Sequence, residues 1–193
     1  MSSAFDRFDD SDVRDLIAEY PLAWVVAVGG QSLLPLLGEV DGDGRLTHLL
    51  GHMGRSNPLF AQLSADPRAT ILFTGPQGYV SPDHAQRRNW GPTWNYAQLA
   101  ITAEIEFLPD EGDAALAALT LAMEGDRWSA AELGPRYTGM AAAIIAFRAR
   151  VTGLTGRFKL GQDEPDETFS AILRTHPDAA LVAWMRRFGK ARG

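Results

Sequence analysis

The sequence predicts a mainly β protein with added helices, its six strands closing as an antiparallel barrel. Three observations predict it. About six apolar or alternating stretches of strand length are joined mostly by tight turns. They do not alternate regularly with long helices, which argues against a parallel doubly wound sheet. Leu99, Ile101, Ala103, Ile105 and Phe107 alternate with Ala100, Thr102, Glu104 and Glu106, the pattern of a half-buried strand.

The elements follow in order. Ser11–Tyr20 carries Val13, Leu16 and Ile17 at helical spacing, with acids in the first turn and Pro21 as its stop. Leu22–Val28 is a buried strand that ends at Gly29-Gly30. Leu33–Val40 and Arg45–Leu50 are strands joined by the hairpin turn Asp41-Gly-Asp-Gly. Asn57–Ser64 is a helix with Asn as N-cap and Pro58 at its first position. Ala69–Thr74 is the fourth strand, and Gly75–Pro92 a shaped loop with a short extended piece at Tyr79-Val80. Trp94–Phe107 is extended, Asp110–Glu124 helical, and a shorter helix covers Pro135–Ala142. Ile144–Leu154 is the last strand, and helices over Pro165–Arg174 and Pro177–Phe188 end the chain, within a C-terminal helical region at about 164–188.

Composition narrows the classes. At 193 residues, 46% of them hydrophobic, the chain can build one real core, and we read 1–193 as a single domain. A net charge of −6 argues against a nucleic-acid surface as its main purpose. With no cysteine there is no disulfide framework and no thiolate zinc site. The acidic start, Met1-Ser-Ser-Ala-Phe-Asp-Arg-Phe-Asp-Asp, lacks the apolar run of a signal peptide. No segment has the length of a membrane-spanning helix. The expectation is a cytoplasmic protein with no membrane contact.

Several motifs are better explained as structure than as chemistry. Asp41-Gly-Asp-Gly fails as a calcium loop because Arg45 stands where an oxygen ligand is needed. His48 and His52 face the same way but have no third ligand nearby, so no metal is expected. No phosphate loop, dinucleotide fingerprint or nucleophile elbow is present. Trp184, Arg186, Arg187, Phe188, Lys190 and Arg192 read as a solvated helix end that complements the dipole rather than as a nucleic-acid patch.

Three places carry more. Arg55 and Ser56 precede the Asn57-Pro58 helix start, where backbone N–H groups and the positive end of the helix dipole suit a phosphate. Thr93-Trp-Asn-Tyr follows Gly91-Pro92. Trp94 and Tyr96 there either plug the barrel or wall a planar ligand, with Thr93 and Asn95 as hydrogen-bonding groups. Lys159-Leu-Gly-Gln is either an anion partner or ordinary surface. Both pairs of readings stay open at this level.

Gly51-His-Met-Gly-Arg-Ser-Asn-Pro, Gly75-Pro-Gln-Gly-Tyr-Val-Ser-Pro, Pro92-Thr-Trp-Asn-Tyr and Lys159-Leu-Gly-Gln occur in this order. Together they resemble the PaiB-like family of FMN-binding proteins, labelled negative transcriptional regulators, over about Phe8–Arg174. The resemblance implies the FMN-binding split β-barrel shared with pyridoxamine-phosphate oxidases and flavin reductases. It implies a homodimer with FMN at the subunit interface. Arg55, Ser56 and Asn57 would lie near the FMN phosphate, with His52, Ser81, Thr93, Trp94 and Asn95 around the pocket. Lys159 and Gln162 match the family's late motif. The chain departs from the pattern at Gly54, Asp83-His84, Gly161 and Asp163.

Two functions fit that resemblance: a flavin-dependent regulatory protein, or a small FMN-dependent oxidoreductase. The residues name no catalytic acid or base and leave open whether the chain is an enzyme. Direct DNA binding is disfavoured, because the charge is wrong and no helix-turn-helix is recognisable.

Overall fold

The computed structural model describes residues 3–189. Six strands form a closed antiparallel barrel in the order β1-β2-β3-β6-β5-β4, as the sequence predicts. They are β1 (Leu22–Ala27), β2 (Gly30–Val40), β3 (Leu46–Gly54), β4 (Arg68–Val80), β5 (Thr93–Leu108) and β6 (Ile144–Lys159). The helices are α1 (Asp10–Glu19), α2 (Pro58–Ala65), α3 (Gly112–Glu124), α4 (Arg136–Ala142), α5 (Asp166–Thr175) and α6 (Ala179–Gly189). Among the described residues no helix is long and apolar enough to cross a membrane.

Two compact units divide the chain. One holds Asp10–Phe73 and Ala100–Leu154; the other holds residues 3–9, Thr74–Leu99 and residues 155–189. In the first, β1 pairs with β2 from Leu22 opposite Pro35 to Ala27 opposite Gly30. Its other side meets β4, Ala23 opposite Phe73. β2 pairs with β3, Leu36 opposite Gly51, and β3 pairs with β6, His52 opposite Ala146. Alternation then turns Ala23, Val25, Leu34, Leu36, Leu49, Ile71 and Phe147 into the core. α1 adds Val13, Leu16 and Ile17, its apolar stripe laid over β2 and β3. At the β2–β3 turn, Asp41 Oδ1 accepts from the N–H groups of Asp43 and Arg45, and Gly44 takes a φ of +81°. Arg148 on β6 forks onto the Glu39 carboxylate of β2 at 2.8 and 3.1 Å.

The second unit has its own core. The Phe158 ring stacks on Phe188 at 4.9 Å and on Trp184 at 6.1 Å, while Phe8 tilts against it at 5.3 Å. Trp184 and Phe188 therefore belong to the interior, and Arg187 covers the Trp184 ring at 5.2 Å. Lys190 and Arg192 of the basic tail lie outside the described residues.

Three strands run well past the C-terminal ends that the sequence predicts, and β2 starts at Gly30 rather than Leu33. β3 continues past Leu50 to Gly54, carrying His52 on a strand. β4 continues past Thr74 to Val80, through Gly75 and Pro76, both buried. Proline's fixed φ is compatible with extended backbone, so the Gly-Pro pair does not end this strand. β6 continues past Leu154 to Lys159 because its glycines mark close packing rather than turns. A Cβ at Gly156 would come within 2.8 Å of Phe8 Cε1, and one at Gly153 within 2.7 Å of Thr102 Oγ1. α3 starts at Gly112, two residues after Asp110, because Glu111 first closes a turn onto the Leu108 carbonyl at 3.2 Å.

Gly51 is the tightest point of the core. A Cβ there would collide with Leu36 and stand 2.8 Å from Phe147 Cζ. Gly51→Ala should cost roughly 1–3 kcal/mol by overpacking. Thermal melting checks this, and an unchanged midpoint would show that β3 can move outward at no cost.

Candidate functional site

β3 delivers the phosphate candidate. The Asn57 N–H donates to the Gly54 carbonyl at 2.9 Å and folds Arg55-Ser56 into a tight turn. Asn57 Oδ1 caps α2 by accepting from the Leu59 N–H at 3.0 Å, and its Nδ2 donates to Ser32 Oγ on β2 at 2.9 Å. The Phe60 N–H donates to the Asn57 carbonyl at 2.9 Å, and Pro58 has no N–H at all. The first-turn amides of α2 are thus engaged, and the expectation of free helix N–H groups is corrected. Asparagine and proline are good helix starters because they satisfy or remove the donors an anion would use.

What stays available is the turn itself. Ser56 is exposed, and neither its N–H nor its hydroxyl has a partner among the described residues. The Arg55 N–H donates to the Ala143 carbonyl at 2.8 Å and its Nε to the Ala142 carbonyl at 3.2 Å. These carbonyls close the C-terminal, electronegative end of α4 and aim the guanidinium. No carboxylate pairs with Arg55 among the described residues. It borders a cleft of about 340 Å³, shared with Asp110, Asp113, Tyr137 and Thr138. Tyr137 Oη donates to Asp113 Oδ1 at 2.6 Å, and that bond holds the phenol above its ordinary range.

His52 lies half-buried on β3, and burial pushes its imidazole below the usual histidine value. His48, four residues earlier, has Nδ1 3.1 Å from Thr47 Oγ1. Among the described residues no three histidines or carboxylates gather as a metal site.

The other predicted residues sit in the second unit. Lys159 Nζ donates to Thr93 Oγ1 and, at 2.9 Å, to the Trp94 carbonyl, so the third and fourth motifs do meet. Trp94 is 54% exposed and packs edge-on against Tyr79 at 5.9 Å. Asn95 points the opposite way along β5, 2% exposed, with Nδ2 donating to Met185 Sδ at 3.5 Å. Neighbours on a strand face opposite sides, so Trp94 and Asn95 do not share one wall. Ser81 and Gln162 brace turns. Ser81 Oγ accepts from the His84 N–H at 3.2 Å; Gln162 accepts from the Leu160 N–H at 2.7 Å and donates to the Phe158 carbonyl at 2.5 Å. Gly161, within that turn, has a φ of +84°, and Asp163 is exposed.

Tyr79 and a histidine pair escaped the sequence reading. His84 and His176 meet edge-on at 4.8 Å, and each Nδ1 accepts a backbone N–H, from Ser81 and Asp178 respectively, at 3.2 Å. Tyr79 lies inside the Gly75–Pro82 motif and could have been found there. The pairing of His84 with His176 joins positions far apart in the chain, and no local pattern announces it.

The His52 shift sets a pH dependence. Its folded-state value is lowered, so the folded chain binds fewer protons than the unfolded one. The stability it contributes is present above about pH 6.5, the unfolded value, and is lost as pH falls through the lower folded value. Melting of wild type should therefore worsen as pH falls below about 6.5 more steeply than that of His52→Gln, by at most about 1.4 kcal/mol per pH unit. Parallel curves would remove His52 from the pH response.

Comparison with known proteins gives this geometry its setting. Residues 1–153 match the family described as "Putative FMN-binding domain", and the match ends before Lys159 and Gln162. The protease synthase and sporulation protein PAI 2 of Bacillus subtilis (strain 168) is 24% identical over 137 residues, 65% of this chain. The aligned part spans 63% of that relative's length, less than two thirds. Among solved structures, the flavocytochrome Anf3 from Azotobacter vinelandii superposes with a TM-score of 0.61 at 16% identity, over 90% of this chain and 76% of its own. The FAD and heme binding protein from Mycobacterium smegmatis gives 0.60 at 22% identity, over 86% and 78%. At these identities the two structures bear on the fold alone, and the split-barrel expectation is borne out. The family match likewise bears out FMN as the cofactor, and the chain belongs to this PaiB-like family of FMN-binding domains.

Proposed function

We propose that this chain is a flavin-dependent regulatory protein that acts as a homodimer in the cytoplasm and holds FMN by its phosphate at the Arg55-Ser56 turn. The observation that carries the reading is the donor set there. A guanidinium aimed by carbonyls, with no carboxylate partner among the described residues, stands next to an open hydroxyl and an open N–H. Such a set suits a phosphate dianion, which needs several charge-assisted donors. FMN supplies the redox chemistry when bound, and the chain's residues bind and orient it.

Asn57 acts here by positioning, since its side chain is engaged in the α2 cap and the Ser32 bond. Ser81 and Gln162 likewise shape turns, and Lys159 fixes Thr93 and the backbone at Trp94. The exposed Trp94–Tyr79 pair offers an apolar face for a planar ring. His52 and Thr93 remain part of the proposed pocket on the strength of the family resemblance, and Asn95, buried with its amide on Met185, acts there only by supporting the strand.

The regulatory half of the proposal rests on the family label. With a net charge of −6, regulation is better read as flavin-controlled contact with a protein partner than as direct contact with DNA. The oxidoreductase alternative predicts multiple turnovers of NAD(P)H by the FMN-loaded protein.

FMN titration followed by flavin fluorescence tests the phosphate assignment. Arg55→Ala should weaken FMN binding by roughly 10- to 100-fold, the loss of one or two charge-assisted hydrogen bonds, with Arg55→Lys in between. Unchanged affinity in a folded Arg55→Ala protein would overturn the assignment. Repeated bleaching and recovery of the flavin bands on adding NAD(P)H in air would replace regulation with the enzyme reading.

A further inference from the structure

Arg55 takes its direction from a helix that is itself weakly held. Its N–H and Nε donate to the carbonyls of Ala143 and Ala142, at 2.8 and 3.2 Å, at the C-terminal end of α4. The stretch from Gly112 to Ala143 that carries this end buries little. Among its described residues Ala115 of α3 is the one that is buried; α4 and the 3-10 turns Gly125–Arg127 and Ala130–Leu133 bury none. Segments with so few buried apolar contacts open locally, at a fraction of the free energy of global unfolding.

Gly139 weakens α4 further. It lies inside the helix, and a Cβ there would meet nothing within 4 Å. No packing demand explains a glycine at this position, and glycine inside a helix is less stable than alanine. One tether acts against this weakness. Tyr137 Oη donates to Asp113 Oδ1 at 2.6 Å and joins α4 to the first turn of α3. α3 packs on β2 and β3, and β3 is the strand that ends at the Arg55 turn. A hydrogen bond onto a carboxylate is stronger than one between neutral groups.

We infer that Tyr137 is a positioning residue for the anion site: its bond to Asp113 latches α4 in the arrangement that aims Arg55. α4 exchanges between this latched form and an open form in which its C-terminal carbonyls no longer hold the guanidinium. The latched form binds a phosphate with full affinity, so the measured affinity is the intrinsic one scaled by the latched fraction. A phosphate on Arg55 raises that fraction in return, because the coupling is reciprocal. FMN occupancy thereby sets the order of Gly112–Ala143, which gives the regulatory reading a physical signal. Gly139 lies outside the residues that border the Arg55 cleft, so a change there reaches the phosphate through α4 alone.

The latch rests on the phosphate assignment at Arg55, and the two can fail separately. FMN titration of the full chain tests it, together with hydrogen–deuterium exchange over residues 134–143 with and without FMN. FMN should slow exchange there in wild type. Tyr137→Phe should quicken that exchange and weaken FMN binding roughly 2- to 10-fold, the worth of one hydrogen bond. Asp113→Asn keeps an acceptor for the hydroxyl and should bind FMN at least as tightly as wild type. Gly139→Ala should slow exchange and tighten FMN binding roughly two- to five-fold. If Arg55→Ala weakens binding while Tyr137→Phe and Gly139→Ala both match wild type, the latch is overturned and the phosphate assignment stands. If Arg55→Ala binds FMN unchanged, the assignment falls and the latch with it.

Discussion

The register of β3 is the constraint on which the candidate phosphate site depends. β3 is paired along both sides, Leu36 of β2 facing Gly51 and Ala146 of β6 facing His52. A slip of one residue would turn Leu49 and Met53 out and His48 and His52 in, so burial holds the register firmly. Gly51 lets the core close at the middle of that strand, between Leu36 and the Phe147 ring. Where the pairing ends, at Gly54 opposite Ile144, the chain must turn, and Arg55 and Ser56 are the residues of that turn. Their placement is therefore fixed by core packing several residues away rather than by the loop itself.

Polar groups in this chain divide sharply between those that hold turns and those left open. Asn57, Ser81 and Gln162 all occur in the motifs that suggest a ligand, yet each uses its side chain on a backbone group within four residues. This is the ordinary behaviour of short polar side chains at turns and caps. It also gives them an indirect role, because a turn held by its own side chain presents its remaining donors in one geometry. The Arg55-Ser56 turn shows the benefit: the Asn57 cap removes the competing helix donors and leaves the guanidinium, the hydroxyl and one N–H.

Much of the fold was legible because its signals are local. The α1 stripe, the Asp41-Gly-Asp-Gly hairpin and the alternation along β5 each depend on residues close in sequence. Strand ends were not legible where glycine or proline lies within a strand. Gly75-Pro76 reads as the end of a strand, and the last strand is read only to Leu154, short of Gly156, but the meaning of these residues is set by what packs against them, which only the folded chain decides. The same limit applies to the site. Arg55 and Ser56 could be picked out from the helix start that follows them, while the carbonyls of Ala142 and Ala143 that aim Arg55 come from a helix more than eighty residues later.

Charge distribution sets Arg55 apart from the paired arginines of the barrel. Arg68, Arg148 and Arg150 each face a carboxylate, so their charge is largely cancelled where it stands. Arg55 is treated differently, bound only to carbonyls, and keeps its full charge next to a cleft that also contains Asp110 and Asp113. Those carboxylates repel an anion, so one held at Arg55 would have to approach the guanidinium from the side away from them. A chain of net charge −6 can bind an anion only where a cation keeps donors that no carboxylate takes, and Arg55 meets that condition by taking carbonyls as its partners.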